Sequence, residues 1–335
     1  MTEKTAMENN CIELSLAELC AFLKERDNYV ILCHASPDGD TLGSAYALKR
    51  GLERLGKNAG VICCDEIPKK YDYFIDDSDS SFAPETVVAV DVADIKLLGD
   101  IYAQFEGRID LNIDHHVSNT RYAKRLYLDA NAAATAECIY EILDELGVEF
   151  DGAMANALYT GMSTDTGCFK YSNVTVRTHE IAARLYEIGV DAAEINRKMF
   201  DTKSRSRLEL EMMVLNGAEF HFDDRCMILS VTLDMQQKTG CSGSELEGVA
   251  AISRTVEGVL AGVSIKQVEE NKFKVSLRTY PPLDASAICK SLGGGGHVAA
   301  AGCTLEGDLE SAKKKILAAV KQALEENDAG ISTDR

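Results

Sequence analysis

Four short, mainly apolar runs constrain this chain more than any other feature: residues 29–33, 59–63, 87–90 and 109–113. Each has the length of a buried strand. Helical patterns lie between and around them. Strands that alternate with helices imply an α/β fold, a mainly parallel sheet with helices on both faces. Open sheets of this kind deliver functional groups at the carboxyl ends of their strands. Here the first run is followed by His34 and then Pro37, Asp38, Gly39 and Asp40. The third is followed by Asp91 and the fourth by Asp114-His115-His116. Asp165 closes a further segment, Thr160-Gly161-Met162-Ser163-Thr164-Asp165.

The spacing of apolar residues predicts helices over 12–24, 40–55, 133–146 and 177–189, with 154–159 running into a loop at 161–165. From about residue 190 the chain becomes charged and helix-prone, with Lys203, Arg205 and Arg207 close together. The second half reads as a smaller α/β domain, with strands at 227–232, 259–268 and 272–278. Its helices fall at 243–253, 285–292 and 311–325. The expected division is a catalytic domain over 1–190, a helical connector over 191–217, a second domain over 218–327 and a frayed tail over 328–335.

A length of 335 residues suits two domains that each bury a core. The eleven cysteines are scattered without a Cys-x-x-Cys pair, which argues for reduced thiols rather than a disulfide scaffold or a thiolate zinc site. No apolar run approaches the roughly 20 residues that span a bilayer. Residues 1–10 are polar without a basic-then-apolar signal pattern, so the expected location is the cytoplasm. The net charge of −19 argues against binding long nucleic acid, which needs a basic stripe. A short phosphorylated substrate stays open, because a pair of dications reverses the sign locally at a carboxylate cluster.

Each cluster has a plain reading beside the chemical one. Asp38 and Asp40 project from a tight turn that Pro37 enters and Gly39 relieves. They sit beside a helix start whose positive end can also hold phosphate. The plain alternative makes Asp40 the helix N-cap. Asp91 alone is a strand-end carboxylate, Asp114-His115-His116 a surface turn, and Asp165 part of a helix cap. Recurrence in four segments carries the metal reading. His34, Asp38, Asp40, Asp91, His115 and Asp165 offer six donors, enough for two divalent ions with one carboxylate shared. Adjacent side chains on extended backbone point apart, so His115 and His116 should do different work, one on metal and one on substrate. Imidazole with carboxylate and no thiolate suits Mn²⁺ or Mg²⁺ and, less specifically, Zn²⁺ or Co²⁺. Two ions ~3.5–4 Å apart activate water and clamp phosphoryl oxygens during in-line displacement. The residues therefore point to phosphoester or phosphoanhydride hydrolysis. In the second half, Gly293-Gly294-Gly295-Gly296-His297 reads either as a flexible helix-ending loop or as an anion-binding loop. Arg278, at a strand end, is a phosphate partner or a solvated charge.

The ordered set His34/Asp38/Asp40, Asp91, Asp114-His115-His116 and Asp165 resembles the DHH phosphoesterase superfamily. Residues 293–302 resemble the glycine-rich motif of its DHH-associated C-terminal domain. Together they are similar to the NrnA-type members, nano-RNases that also act on 3′-phosphoadenosine 5′-phosphate, across roughly residues 28–325. The resemblance implies that His34, Asp38 and Asp91 hold one ion. Asp40, Asp91, His115 and Asp165 would hold the other, with Asp91 bridging and Mn²⁺ as the first expectation, ahead of Mg²⁺ or Co²⁺. It gives His116 the scissile phosphate and Asp114 the orientation of the histidines. Arg278, Gly295, Gly296 and His297 would grip the nucleotide across an interdomain cleft. The residue after Arg278 is Thr279, where the family more often has serine; a hydroxyl is kept.

The implied substrates are short single-stranded RNA, about two to five nucleotides, and a nucleoside bisphosphate, with no long duplex and no membrane. Assembly as a homodimer is left open. Family II inorganic pyrophosphatases share the ligand set but use basic phosphate motifs in their second domain. RecJ-type exonucleases are usually longer, and the superfamily's cyclic-dinucleotide phosphodiesterases usually add membrane segments, although linear dinucleotides remain within reach here. A nucleotide-binding regulator without catalysis is the non-enzymatic alternative, and the complete ligand set speaks against it.

Overall fold

The computed structural model describes residues 11–76, 82–246 and 248–333. The chain forms two compact units, Met1–Thr202 and Lys203–Arg335. The first contains β1 (Ile12–Glu13), α1 (Leu16–Glu25), β2 (Tyr29–Leu32), α2 (Gly39–Arg54), β3 (Ala59–Ile62) and β4 (Thr86–Val90). It continues with α3 (Tyr102–Phe105), β5 (Leu111–Asp114), β6 (Arg125–Leu128), α4 (Thr135–Glu145), α5 (Gly152–Asp165), α6 (Val176–Ile188) and α7 (Ala192–Asn196).

All six strands pair in parallel in the order β1-β6-β5-β4-β2-β3. Strands buried on both faces need apolar residues at every position, which is why β2 and β4 are buried from end to end. One face packs Leu19, Leu48, Ile139 and Leu158 of α1, α2, α4 and α5 against Ile31, Val88 and Ile113. The other packs Leu98, Ile101 and Phe105 against Val30, Leu32, Val87 and Ala89. The sheet grows one way from β2 to β3 and the other way from β4 through β5 to β6. The switch point therefore falls between β2 and β4, where open α/β sheets place their ligands.

Close helix packing backs that point. A Cβ on Gly43 of α2 would lie 2.2 Å from the Ala157 carbonyl oxygen of α5. One on Gly161 would meet Ala136 at 2.7 Å and the Asp40 carboxylate at 2.8 Å. Gly43→Ala should therefore destabilise the protein by about 1–3 kcal/mol, as overpacked cores do. A denaturant melt with an unshifted midpoint would contradict it.

The second unit contains α8 (Arg205–Asn216), β7 (Glu219–His221), β8 (Cys226–Val231), α9 (Leu233–Thr239), α10 (Val249–Ile252), β9 (Ala261–Glu269) and β10 (Lys272–Thr279). Then come α11 (Ala285–Lys290), β11 (Gly295–His297), β12 (Ala300–Glu306) and α12 (Leu309–Thr333). The sheet order is β11-β12-β10-β9-β8-β7, and only β8 with β9 is parallel. Ile288, Ile316 and Val320 cover one face over Val263, Val275 and Leu277.

Several elements differ from the sequence expectation. The start of the stretch expected as one helix at 12–24 is strand β1, paired with β6; the helix begins after Ser15, which closes a capping box with Glu18. Residues 161–165 are helical, the last turn of α5, because Asp151 caps a helix that is buried along most of its length. The stretch 191–217 is divided between the units. It comprises α7, a π-helical turn at Arg197–Asp201, and α8, whose Leu210 and Val214 are buried with Met227 and Leu229. Strands β6, β7, β11 and β12 went unread because they are short or rich in glycine and alanine. Helix α12 continues past Asn327, where Asp328 receives a hydrogen bond from Arg225 at 2.9 Å. Residues 1–10 and, in the tail, 334–335 lie outside the described residues. No described helix is long and apolar enough to cross a membrane.

Candidate metal centre

The carboxyl ends of β2, β4 and β5 are neighbours, so their polar followers converge. Two residues after β2, His34 bonds through Nδ1 to the Ala35 carbonyl at 2.8 Å, which leaves Nε2 as the free donor. That Nε2 lies 3.6 Å from Asp38 Oδ1 and 3.7 Å from Asp91 Oδ2. His115 follows the same rule. Its Nδ1 meets the Ala132 carbonyl at 3.1 Å, while Nε2 stands 3.5 Å from Asp165 Oδ2, 3.8 Å from Asp91 Oδ1 and 4.0 Å from Asp40 Oδ2. Three overlapping donor sets result: His34 with Asp38 and Asp91, Asp40 with His115 and Asp165, and Asp91 with His115 and His116. Within each set the ligand atoms lie within 4.8 Å of one another. Asp91 belongs to the first and third sets. It is buried with φ +59, a left-handed backbone conformation uncommon for a non-glycine residue and characteristic of functional sites.

The first turn of α2 shows how the aspartates are held. Asp38, not Asp40, is its N-cap: Oδ1 accepts from the backbone N–H groups of Asp40 and Thr41 at 3.0 and 3.1 Å. Those amides are therefore taken and do not form the phosphate-binding helix end expected from sequence. Asp40 instead caps a different helix. Its carboxylate accepts from the N–H groups of Thr135 and Ala136 at 2.7 and 2.9 Å, at the start of α4, whose own N-cap Ala134 has no side-chain acceptor to offer. The Thr135 hydroxyl donates to Asp91 Oδ1 at 2.9 Å. Thr135 thus ties two of the aspartates together. Nothing in the run Ala132-Ala133-Ala134-Thr135 announced it, because its role depends on a partner 95 residues away in sequence.

Burying this many carboxylates together is unfavourable without added positive charge. Burial, reinforced by the charge of Asp165, pushes Asp40 up to about 7. Burial and the charges of Asp40 and Asp38 lift Asp91 well above the carboxylate range. Asp165 is also raised, by burial and by Asp38. Asp38 goes the other way: burial is outweighed by His34 and by the two amides it caps. A cluster that resists ionisation and presents free imidazole Nε2 atoms fits divalent cations, whose charge would reverse the balance.

His116 does not point away from His115 as alternation on extended backbone would have it. Both lie beyond the end of β5, their ring centroids are 4.5 Å apart, and His116 Nδ1 is 3.5 Å from Asp91 Oδ1. The same Nδ1 is 2.8 Å from Asp114 Oδ1, and burial of the ring is outweighed by that carboxylate, so the His116 pKa is raised. Asp114 is fully buried and is held in turn by Asn119, which donates to Oδ2 at 2.6 Å. Asn173 donates to the carbonyls of Ala133 and Asp165 and links α4 with the end of α5. Asn119 and Asn173 were not singled out in the sequence. An Asn three residues after the two histidines was the available signal for the first.

In the second unit, Arg278 on β10 and the loop at 293–296 line one cavity of about 570 Å³. A Cβ on Gly294 would come within 2.1 Å of the Gly302 carbonyl oxygen, and Gly296 sits at φ +146, pairing with Ala301. Two of the four glycines are thus required by the β11–β12 hairpin itself. His297 pairs with Ala300 and is exposed.

A parallel sheet that gathers imidazoles and carboxylates at its switch point forms a candidate divalent-metal centre. Residues 28–162 match the DHH family, N-terminal domain, and residues 224–326 match the DHHA1 domain. The chain is 36% identical, over 301 residues, to the bifunctional oligoribonuclease and PAP phosphatase NrnA of Thermus thermophilus; the match covers 88% of this chain and 89% of that protein. It is 24% identical to the protein of that name from Bacillus subtilis, covering 86% and 92%. Among solved structures, an exopolyphosphatase-related protein from Bacteroides fragilis superposes with a TM-score of 0.84 at 23% identity, covering 96% and 98%. The chain belongs to the DHH phosphoesterase family, in the branch that carries a DHHA1 domain and includes these NrnA proteins.

Proposed function

We infer that this protein hydrolyses short oligoribonucleotides to mononucleotides and 3′-phosphoadenosine 5′-phosphate to AMP and phosphate. The observation that carries the reading is the 36% identity to the T. thermophilus oligoribonuclease and PAP phosphatase, which runs through 88% of the chain. The geometry supplies the chemistry. His34, Asp38 and Asp91 are assigned to one divalent ion, and Asp40, His115 and Asp165, with Asp91 shared, to a second. Mn²⁺ is the first choice and Mg²⁺ or Co²⁺ the others. Bound there, the ions supply Lewis-acid polarisation of the phosphoryl group and a water of lowered pKa.

The chain's own residues do the rest. Asp114 engages Nδ1 of His116 and so leaves Nε2 to donate a hydrogen bond to a phosphoryl oxygen as negative charge grows on it. Thr135 and the α4 amides fix the rotamers of Asp91 and Asp40. Residues 1–190 are the catalytic part. Residues 218–327 bind the nucleotide through Arg278, Gly295, Gly296 and His297.

Turnover with Mn²⁺ is the test, using 5′-phosphorylated dinucleotide RNA, a 24-mer, 3′-phosphoadenosine 5′-phosphate and pyrophosphate side by side. Fast cleavage of the dinucleotide and the bisphosphate, with a slow 24-mer, is expected. Turnover of pyrophosphate alone would overturn the reading. His116→Ala should lower kcat about 10²–10⁴-fold while Mn²⁺ still binds in a calorimetric titration. Loss of Mn²⁺ binding would instead make His116 a metal ligand.

A further inference from the structure

The second sheet carries, on the face away from α11 and α12, a pair of cations without an ion-pair partner among the described residues. Along β10, Phe273, Val275 and Leu277 are core residues, so Lys274, Ser276 and Arg278 alternate onto the opposite face. The register sets Lys274 directly opposite Lys266 of β9, and Ser276 opposite Ser264. Like charges facing each other across a strand pair repel. Neither lysine has an ion-pair partner among the described residues. The chain carries a net charge of −19, and about half of its described lysines and arginines pair with acids. Among the described residues no acid lines the pocket at these lysines. Leu246, Val249 and Ala250, at and before α10, wall the strip on one side. Lys266, Lys274, Ser264 and Ser276 line a pocket of about 270 Å³, which shares Lys274, Ser276 and Arg278 with the cavity at the glycine loop.

We propose that Lys266 and Lys274 form a second phosphate subsite, which binds an internal phosphodiester of an oligonucleotide whose terminal phosphate is held at Arg278 and the glycine loop. The proposal rests on the oligoribonuclease reading and deepens it. Arg278 lies four residues along β10 from Lys274, about 13 Å on a pleated strand. Stacked nucleotides rise about 3.4 Å each along one strand. The two phosphates are therefore separated by on the order of two to four nucleotides. Chains of three nucleotides or more reach both places, and a nucleoside bisphosphate reaches one. The lysine pair thus separates the oligonucleotide activity from the bisphosphate activity and rewards length up to the end of the strip. Two cations across a strand pair suit a diester phosphate, and the serines can donate to its oxygens.

The test compares the full-length protein with a Lys266→Gln/Lys274→Gln double variant and a Lys266→Arg/Lys274→Arg control. Substrates are 5′-phosphorylated di- and tetranucleotide RNA and 3′-phosphoadenosine 5′-phosphate. The ratio of kcat/KM for the tetranucleotide to that for the bisphosphate should fall roughly tenfold in the glutamine variant, through KM, as loss of a charge-assisted phosphate contact implies. The arginine control should retain it. The dependence of log(kcat/KM) on log salt for the tetranucleotide should flatten by about 0.7. An equal loss on all three substrates, or none, would overturn the subsite. If the unmodified protein turns over none of them, the hydrolase reading fails. Fluorescence anisotropy of a labelled tetranucleotide in EDTA then decides the subsite alone: weaker binding by the glutamine variant upholds it, and unchanged binding overturns it.

Discussion

Asp91→Asn is expected to abolish turnover while making the metal-free protein more stable. The carboxylate stands within 3.7 Å of His34 Nε2 and 3.8 Å of His115 Nε2, so both proposed ions lose a shared ligand at once. Metal ions of this kind contribute several kcal/mol to the transition state. At 1.36 kcal/mol per tenfold, the loss in kcat/KM should be about 10³-fold or more. Asparagine keeps the shape, tolerates the left-handed backbone at φ +59, and still accepts the Thr135 hydroxyl. The variant therefore removes charge and little else. In the metal-free state that charge is a burden, because burial and the charges of Asp40 and Asp38 hold the Asp91 pKa well above its ordinary range. A shift of one unit corresponds to about 1.36 kcal/mol. The melting temperature in EDTA at pH 8 should then rise by roughly 2–4 °C. Retained activity would remove Asp91 from the centre. An inactive variant that melts lower than the parent would instead mean that the carboxylate is a structural support.

Divalent metal should raise the melting temperature by an increment that grows from pH 5 to pH 8. Asp40 titrates at about 7 in the fold, against 3.8 when free. Between those values the folded state holds a proton that the unfolded chain has released. Asp40's own contribution to metal-free stability is therefore fully present below about pH 4 and is lost as pH rises through 7. A cation needs the ionised carboxylate, displaces that proton and so binds more tightly as pH rises. At a free concentration 100 times its Kd, one ion adds about 2.7 kcal/mol. At about 2–4 °C per kcal/mol this is roughly 5–10 °C. Scanning calorimetry with and without Mn²⁺ at pH 5, 6.5 and 8 measures it. An increment independent of pH would show that the buried aspartates are not the ligands.

The parts of this centre that lie on one segment were legible in advance. A strand that must be apolar throughout makes the polar residue after it conspicuous, which exposed His34, Asp91 and Asp114-His115-His116. Their order along the chain carried the family resemblance. Asp165 was found as a residue but placed on the wrong element, because Gly161 and the Ser163-Thr164-Asp165 run read locally as helix-breaking, while burial of α5 on nearly all sides keeps the segment helical. For a related reason the plain reading of Asp40 as the N-cap of α2 does not hold, and Asp38 takes that place. Either aspartate can cap α2 locally, and only the approach of α4, permitted by Gly161, gives Asp40 a better set of donors.

The sequence by itself determined the alternating α/β order and offered six candidate donor residues with the chemistry they suit, because strand burial and ligand type are properties of short segments. The tertiary structure decided which donors share a set, how Thr135, Asn119 and Asn173 brace them, and that Lys266 faces Lys274. Those outcomes depend on strand register and on helix ends meeting across the sheet, up to 96 residues apart along the chain.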